Sequence, residues 1–190
     1  MRRVHPIETE SYRILRQMVD LSHHGPLSRA VAERVIHASA DLDYAEGLIF
    51  DEAALENGVS ALRRGGPVVT DVGMVAAGIT GRETLCFVSD ARTRTLSEQL
   101  STTRSAAGFR VAAEEVGKGA VWVIGNAPTA LFELLELEVA PSLVIGLPVG
   151  FVGAAESKAA LLDSGLPAVT NRGPKCGSAV AAAALNALIY

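Results

Sequence analysis

The stretch that decides the fold is Val121–Leu131, which reads VWVIGNAPTAL. Residues 121–124 form a continuous apolar run, the pattern of a strand that is covered on both faces of a parallel sheet. Gly125 then permits a tight turn, and Pro128 suits the first position of a helix, where its missing N–H costs nothing. The stretch therefore predicts a strand, a turn and a helix. It places Asn126 and the first N–H groups of that helix at the edge where open α/β sheets bind ligands.

Four other short apolar segments show the same strand-then-helix pattern, at 67–71, 85–89, 142–146 and 167–170. Strands that alternate with helical sequence are the signature of parallel βαβ units. Before the first of these strands the sequence predicts three helices: one at 8–21, one that starts with Ser28 as its N-cap, and one at 52–64 that Asp51 caps. Residues 41–50 are expected to form a connector. We therefore expect an α/β fold over residues 1–190: a single-domain, three-layer structure whose mainly parallel sheet has about five strands flanked by helices.

The composition excludes several classes of protein. The net charge of −4 and the lack of a basic stripe argue against a nucleic-acid binder. Cys86 and Cys176 are too few and too far apart for a disulfide framework, which fits a reducing, cytoplasmic setting. Residues 1–6 carry no apolar core, so no signal peptide is expected. No apolar run approaches the ~20 residues of a membrane span.

The residues that follow the predicted strands would gather at the carboxyl edge of the sheet. Among them are the amide of Asn126, the cations Arg172 and Lys175, and an apolar loop at 147–152. Strong nucleophiles are few in this set. Such an edge suits a large flat ligand with a hydrophobic face and an anionic rim.

The usual catalytic signatures are missing from this edge. The glycine spacing fits neither the dinucleotide fingerprint nor the P-loop, and there is no nucleophile elbow and no cluster of metal ligands. Cys176 stands ahead of a predicted helix and beside Lys175, a setting that can lower a thiol pKa. Because no candidate base is placed near it, we expect an unreactive thiol.

Two further residues have an open interpretation from the sequence alone. His37 falls near the C-terminus of a predicted helix, where it is either a partly buried histidine bonded to a carbonyl or a proton donor. An unperturbed imidazole titrates near neutral pH, which suits the second role. Arg104, in the sequence Thr103–Ser105, is either an exposed residue behind a helix cap or a ligand contact.

Four segments in order along the chain resemble the precorrin-8X methylmutase family. They are RVIHA at 34–38, TRS at 103–105, IGNAPTAL at 124–131 and GLPVGFVGAAESK at 146–158. The resemblance implies an α/β fold with a parallel sheet, a homodimer with its sites at the subunit interface, and no organic cofactor. It implies an isomerase of cobalamin biosynthesis that moves a methyl group from C-11 to C-12 of precorrin-8X or cobalt-precorrin-8. The products would be hydrogenobyrinate or cobyrinate.

The resemblance also implies roles for single residues. His37 matches a histidine that protonates or hydrogen-bonds the macrocycle, Arg104 an arginine that contacts the tetrapyrrole, and Ser11 a first-helix serine near the ligand. A tetrapyrrole with many carboxylates needs counter-charges, for which Arg172 and Lys175 are the candidates, with Asn126 in the pocket wall. The family's glycine-rich G-R-x-G-G-S segment is GPKCGS at 173–178 here. The resemblance would make this loop a cradle of backbone amides, but with Pro174 and Cys176 in it we expect Lys175 to supply charge instead.

Two other functions remain open at this point. The first is a Rossmann-like oxidoreductase that binds a nucleotide at the glycine-rich edge, against which the missing fingerprint argues. The second is a non-catalytic carrier that holds a tetrapyrrole for another enzyme. Tight product binding is expected of carrier and mutase alike, whereas turnover by catalytic amounts of protein is expected only of the mutase.

Overall fold

The computed structural model describes residues 5–190. Residues 1–4, where the sequence predicts no signal peptide, lie outside the described residues. The helices are α1 Pro6–Met18, α2 Pro26–Ser39, α3 Tyr44–Gly47, α4 Glu52–Arg63, α5 Gly73–Gly78, α6 Ala91–Gln99, α7 Arg104–Val116, α8 Pro128–Glu136, α9 Ala154–Asp163 and α10 Ser178–Ile189. The strands are β1 Leu48–Ile49, β2 Val68–Thr70, β3 Val121–Ile124, β4 Leu143–Gly146 and β5 Ala168–Asn171. No helix among the described residues is long and apolar enough to cross a membrane.

Within residues 5–190 the sheet has five strands, in the order β1-β5-β4-β3-β2. Strands β2, β3, β4 and β5 run parallel, whereas β1 joins β5 in the antiparallel direction. The carboxyl ends of the four parallel strands therefore meet at one edge. The mainly parallel α/β fold predicted from the sequence is confirmed.

Residues of β3 alternate between two apolar cores. Val121 and Val123 face the core that contains α2, α4 and α10, while Trp122 and Ile124 face the core that contains α7 and α8. Helix α10 packs directly on β3 and β4, α2 packs on α10, and α1 packs on α2. The first two helices thus form an outer layer on one face, and this layer brings residues from the start of the chain to the sheet.

The decisive stretch folds as predicted, with Pro128 in the first turn of α8. The reason for the glycine at position 125 is close packing. A Cβ atom there would lie 2.8 Å from the Ser178 backbone and from the side chains of Ala181 and Val75. Gly125 thus lets α10 approach the end of β3, which a residue with a side chain would prevent.

Two predictions about the elements are wrong. The segment 85–89 is not a strand: Leu85 alone bridges Val69, and the chain then turns, with the Asp90 N–H donating to the Phe87 carbonyl. The fifth strand is instead β1, a two-residue strand inside the predicted connector. Ser28 is not the N-cap of α2, because that helix begins at Pro26 and its N-cap is Gly25. The Ser28 hydroxyl donates to Glu52 Oε2 instead, at 2.6 Å.

Candidate functional site

Ser11 and His37 meet where α1 lies on α2. The Ser11 hydroxyl oxygen is 2.8 Å from Nδ1 of His37, and the pair is partly buried. Ser11 lies in the middle of α1, and His37 lies in the last turn of α2. Two helices that pack side by side therefore bring together residues that the sequence separates by 26 positions.

Tyr12 holds the His37 ring by stacking on its face. The two rings are stacked, with their centroids 4.9 Å apart and their planes inclined by 18°. Arg34 donates from Nη1 to the Tyr12 hydroxyl at 3.3 Å and to Glu8 Oε1 at 2.6 Å. The phenol and the Glu8 carboxylate hold the pKa of Arg34 above its ordinary value, although burial opposes them most strongly. The imidazole is thus fixed by a serine, an aromatic ring and the ion pair behind that ring.

The Ser11 contact determines which imidazole nitrogen is available for chemistry. In a charged imidazole both nitrogens carry a proton, and Nδ1–H donates to the Ser11 oxygen. Nε2 has no hydrogen-bond partner among the described residues, so it is the nitrogen that can reach a ligand. If Nε2 gives up its proton, the same serine bond holds the remaining Nδ1–H tautomer.

An open groove of about 480 Å³ lies beside this pair. It is lined mainly by apolar surface and is formed by Pro6, Ile7, Glu10, Ser11 and Ile14. Ile7, one of the groove's apolar side chains, is 73% exposed. A second groove, of about 630 Å³, lies at the other end of α1 and contains none of the predicted site residues.

Arg104 begins α7, and Asn126 lies in the turn just before α8, which packs on α7. Thr103, which caps α7 through the Ala106 N–H, is also hydrogen-bonded to Thr129 in α8, with 2.7 Å between the hydroxyl oxygens. The side chains of Arg104 and Asn126 are exposed and have no polar partner among the described residues. The structure thus brings a free guanidinium and a free amide to the carboxyl edge of the sheet.

The turn before α8 differs from the expectation of free N–H groups. The buried carboxylate of Asp71 accepts hydrogen bonds from the N–H groups of Gly125, Asn126 and Ala127, at 3.2, 2.8 and 2.7 Å. Burial raises the pKa of Asp71 even though these three bonds favour the charged form. The three amides are therefore already occupied, and we correct the expectation that they serve as anion donors. Asp71 is the last residue of the predicted strand at 67–71 and directly follows β2, and this position at the end of a strand is the only signal for it in the sequence.

The segment after β5 carries the two other predicted cations. The exposed side chain of Arg172 has no polar partner among residues 5–190. Lys175 pairs with Asp41 at 2.5 Å and with Asp43 at 2.9 Å, and hydrogen bonds to these carboxylates raise its pKa. The charge of Lys175 is thus compensated within the chain. Its contacts with the segment just after α2 place the His37 end of that helix beside the loop after β5.

Cys176 belongs to a buried polar cluster. Its thiol donates to Asn171 Oδ1 at 3.1 Å, and the same oxygen accepts a bond of 2.8 Å from the buried ammonium of Lys158. Burial raises the pKa of the Cys176 thiol and lowers that of Lys158. A raised thiol pKa agrees with the expectation of an unreactive cysteine.

The predicted residues thus fall into three groups. Ser11 and His37 touch, Arg104 and Asn126 lie at the starts of two helices that pack together, and Arg172 and Lys175 share the loop after β5. No hydrogen bond or ion pair among the described residues joins Ser11 or His37 to Arg104. The described part of the chain also contains no group of His, Cys, Asp and Glu side chains that could hold a metal ion.

Comparison with known proteins identifies the family to which the chain is similar. The family model described as precorrin-8X methylmutase matches residues 6–190. The chain is 44% identical to the cobalt-precorrin-8 methylmutase of Salmonella typhimurium, over 97% of this chain and 93% of that protein. It is 42% identical to the precorrin-8X methylmutase of Pseudomonas aeruginosa, over 96% of this chain and 93% of that protein.

A solved structure agrees with the same comparison. The precorrin-8x methyl mutase from Thermus thermophilus superposes with a TM-score of 0.88 and is 36% identical, and the match covers 96% of this chain and 93% of that one. Relatives named cobalt-precorrin-8 methylmutase and precorrin-8X methylmutase are about equally similar to this chain, at 44% and 42% identity.

Proposed function

Because the chain belongs to the precorrin-8X methylmutase family, we propose that it moves a methyl group from C-11 to C-12 of precorrin-8X or cobalt-precorrin-8, with His37 as the proton donor. The chain is a methylmutase, an isomerase of cobalamin biosynthesis. The product would be hydrogenobyrinate or cobyrinate. The observation that carries the role of His37 is its contact with Ser11, which leaves Nε2 as the nitrogen available to the ligand.

A methyl shift within one molecule needs neither a nucleophile nor an exchange of electrons with a partner. Protonation of the conjugated ring redistributes its electrons, so one positioned acid is the minimum requirement. General acid catalysis typically contributes 10²–10⁴-fold, or about 3–5 kcal/mol. In our proposal His37 Nε2 gives its proton to the macrocycle while Ser11 and Tyr12 keep the imidazole in one orientation.

The rest of the rate enhancement would come from holding the substrate in one geometry. The unpaired guanidinium groups of Arg104 and Arg172 suit carboxylate side chains, because a guanidinium can donate two parallel hydrogen bonds to a carboxylate. Asn126 would add an amide at the wall between them. Asp41 and Asp43 hold the ammonium of Lys175. We therefore propose that Lys175 contacts the substrate through its aliphatic stem, or through its ammonium once these ion pairs open.

We further propose that the active form is a homodimer whose partner subunit completes the site. Large exposed apolar side chains support this, because apolar side chains that lose contact with water stabilise a subunit interface. On α1 they include Ile7 and Met18, 73% and 60% exposed, and near the sheet edge Phe151 and Val152, 100% and 88% exposed. Light scattering on the protein and on Phe151→Asp tests the assembly: we expect a dimer that the substitution weakens. A wild-type monomer at micromolar concentration would contradict it.

The proposed setting is the cytoplasm, since Cys86 and Cys176 are both free thiols. The function itself is tested by incubating precorrin-8X, and separately cobalt-precorrin-8, with catalytic amounts of the protein. We expect many turnovers to the corrin product, followed by absorbance and chromatography. Binding without turnover of either substrate would instead indicate a tetrapyrrole carrier.

A further inference from the structure

Lys158, at the end of the GLPVGFVGAAESK segment, has no assigned role although it is completely buried in α9. Its ammonium donates to Asn171 Oδ1 at 2.8 Å and to the backbone carbonyl of Lys175 at 2.9 Å. Both acceptors belong to the end of β5 and the loop that follows it. A lysine of α9 thus holds that loop from inside the protein.

Asn171 completes the arrangement. Its amide nitrogen donates to the carbonyl of Lys175 at 3.0 Å and to that of Arg172 at 3.1 Å, while its oxygen accepts from Lys158 and from the Cys176 thiol. The Lys175 carbonyl therefore receives two hydrogen bonds from buried donors. These bonds fix the orientation of the peptide group between Lys175 and Cys176.

The orientation of that peptide has a consequence for its N–H. No peptide bond among the described residues is cis, and in a trans peptide the C=O and N–H point in opposite directions. Because the carbonyl points at Lys158, the Cys176 N–H points away from it. This N–H has no hydrogen-bond partner among residues 5–190. The backbone of Cys176 has φ of 155°, which a residue with a side chain rarely adopts.

An apolar side chain at position 158 would avoid the cost of burying an ammonium group. Burying a charged amine costs several kcal/mol unless its partners compensate, and burial lowers the pKa of Lys158. The polar partners of its ammonium among the described residues lie at the end of β5 and in the loop that follows it. The lysine is therefore better explained by its effect on that loop than by its contribution to the core.

We propose that Lys158 is a positioning residue that orients the Lys175–Cys176 peptide so that the Cys176 N–H can bind a carboxylate of the substrate. This inference rests on the proposed function, which supplies the carboxylate. Arg172, in the same loop, adds a guanidinium to the same subsite. The loop of this chain, with lysine and cysteine at 175 and 176, thus binds an anion through one oriented amide and one arginine.

The first test observes the amide directly. Labelling with ¹⁵N-cysteine gives two backbone signals, from Cys86 and Cys176, which the Cys86→Ser variant assigns. On addition of hydrogenobyrinate we expect the Cys176 proton to shift downfield while the Cys86 signal stays. Turnover by the wild-type protein without any shift of Cys176 would overturn this inference and leave the proposed function standing. Absence of both turnover and binding would overturn the proposed function.

The second test removes the lysine. Lys158→Ala should raise KM and the product Kd about tenfold to a hundredfold and abolish the Cys176 shift, while kcat at saturation changes less than about threefold. The full effect should also appear in Lys158→Met, which keeps the length of the side chain. Lys118→Met, an exposed lysine before β3, is the matched control and should bind like the wild type.

Rescue separates orientation of the peptide from a general loss of structure. n-Propylammonium fits the volume removed in Lys158→Ala and can donate to the Lys175 carbonyl, so it should restore most of the lost affinity. Tetramethylammonium at the same concentration carries the charge but cannot donate a hydrogen bond, and it should not. Equal effects of the two cations, or wild-type affinity in both lysine variants, would contradict the proposal.

Discussion

The hydroxyl oxygen of Ser11 lies 2.8 Å from Nδ1 of His37. This contact couples the first helix to the second and occupies Nδ1, which leaves Nε2 as the imidazole nitrogen without a partner among the described residues. It predicts that Ser11→Ala lowers kcat about tenfold to a hundredfold, the worth of a hydrogen bond to a charged group, with a small change in KM. Steady-state kinetics measure this. Ser22→Ala, in the turn after α1, is the control, and equal rates in the two variants would argue against a role for the serine.

Arg104 predicts an effect on binding. Its guanidinium is unpaired among the described residues, so Arg104→Ala should weaken binding of the coloured product about tenfold with little effect on stability. An absorbance titration gives the affinity. Arg63→Ala, an exposed arginine at the end of α4 on the opposite edge, should bind normally. An unchanged affinity of Arg104→Ala would remove this residue from the site.

Asp71 predicts an effect on stability. Asp71→Asn places an amide group against three backbone N–H donors. Its single oxygen can accept from only some of them, because the NH₂ group is itself a donor. We expect the free energy of unfolding to fall by about 2–3 kcal/mol, because unsatisfied buried donors are costly. Urea unfolding measures this, with Asp163→Asn at the exposed end of α9 as control. Equal stability of the two variants would show that the buried carboxylate does not hold the turn.

His24 predicts a dependence of stability on pH. Burial, and then the charge of His23, lower the pKa of His24 below its ordinary value of 6.5, and its Nε2 is buried without a partner among the described residues. The unfolded chain therefore binds the proton more tightly. The contribution of His24 is present above pH 6.5 and is lost as the pH falls from there through the lower folded-state pKa.

The measurement compares urea unfolding of the wild type and His24→Gln at several pH values. The stability of the wild type relative to the variant should decrease as the pH falls below 6.5. The difference between the two proteins removes the titration of carboxylates that both share. A constant difference over this range would mean that His24 titrates alike in the folded and unfolded chains.

The sequence predicts most of the fold because its strands are short apolar runs bounded by glycine and proline. The stretch Val121–Leu131 shows all these signals, and it folds as expected. The strand predicted at 85–89 has the same composition, but only Leu85 finds a partner in β2. Strand β1 has two residues, too few for any periodic pattern. Its pairing with β5 arises from the tertiary fold.

The site is less predictable because its contacts join distant parts of the chain. The spacing of Ser11 and His37 carries no signal, and only the family resemblance pointed to both. Tyr12 and Arg34, which hold the imidazole, become visible only when α1 lies on α2. The same is true of Lys158 and Asn171, since a lysine on a helix gives no sign of complete burial. The expected free amides after Gly125 failed because Asp71, 54 positions earlier, occupies them.

The central claim, that His37 is the acid of the methyl shift, is tested most directly by turnover and binding of His37→Gln. Glutamine approximates the size of histidine but cannot protonate the macrocycle. We predict that kcat falls at least about a hundredfold, the lower range for general acid catalysis, while the product Kd stays within about threefold of wild type. A variant that binds product normally and retains most of its turnover would contradict the claim.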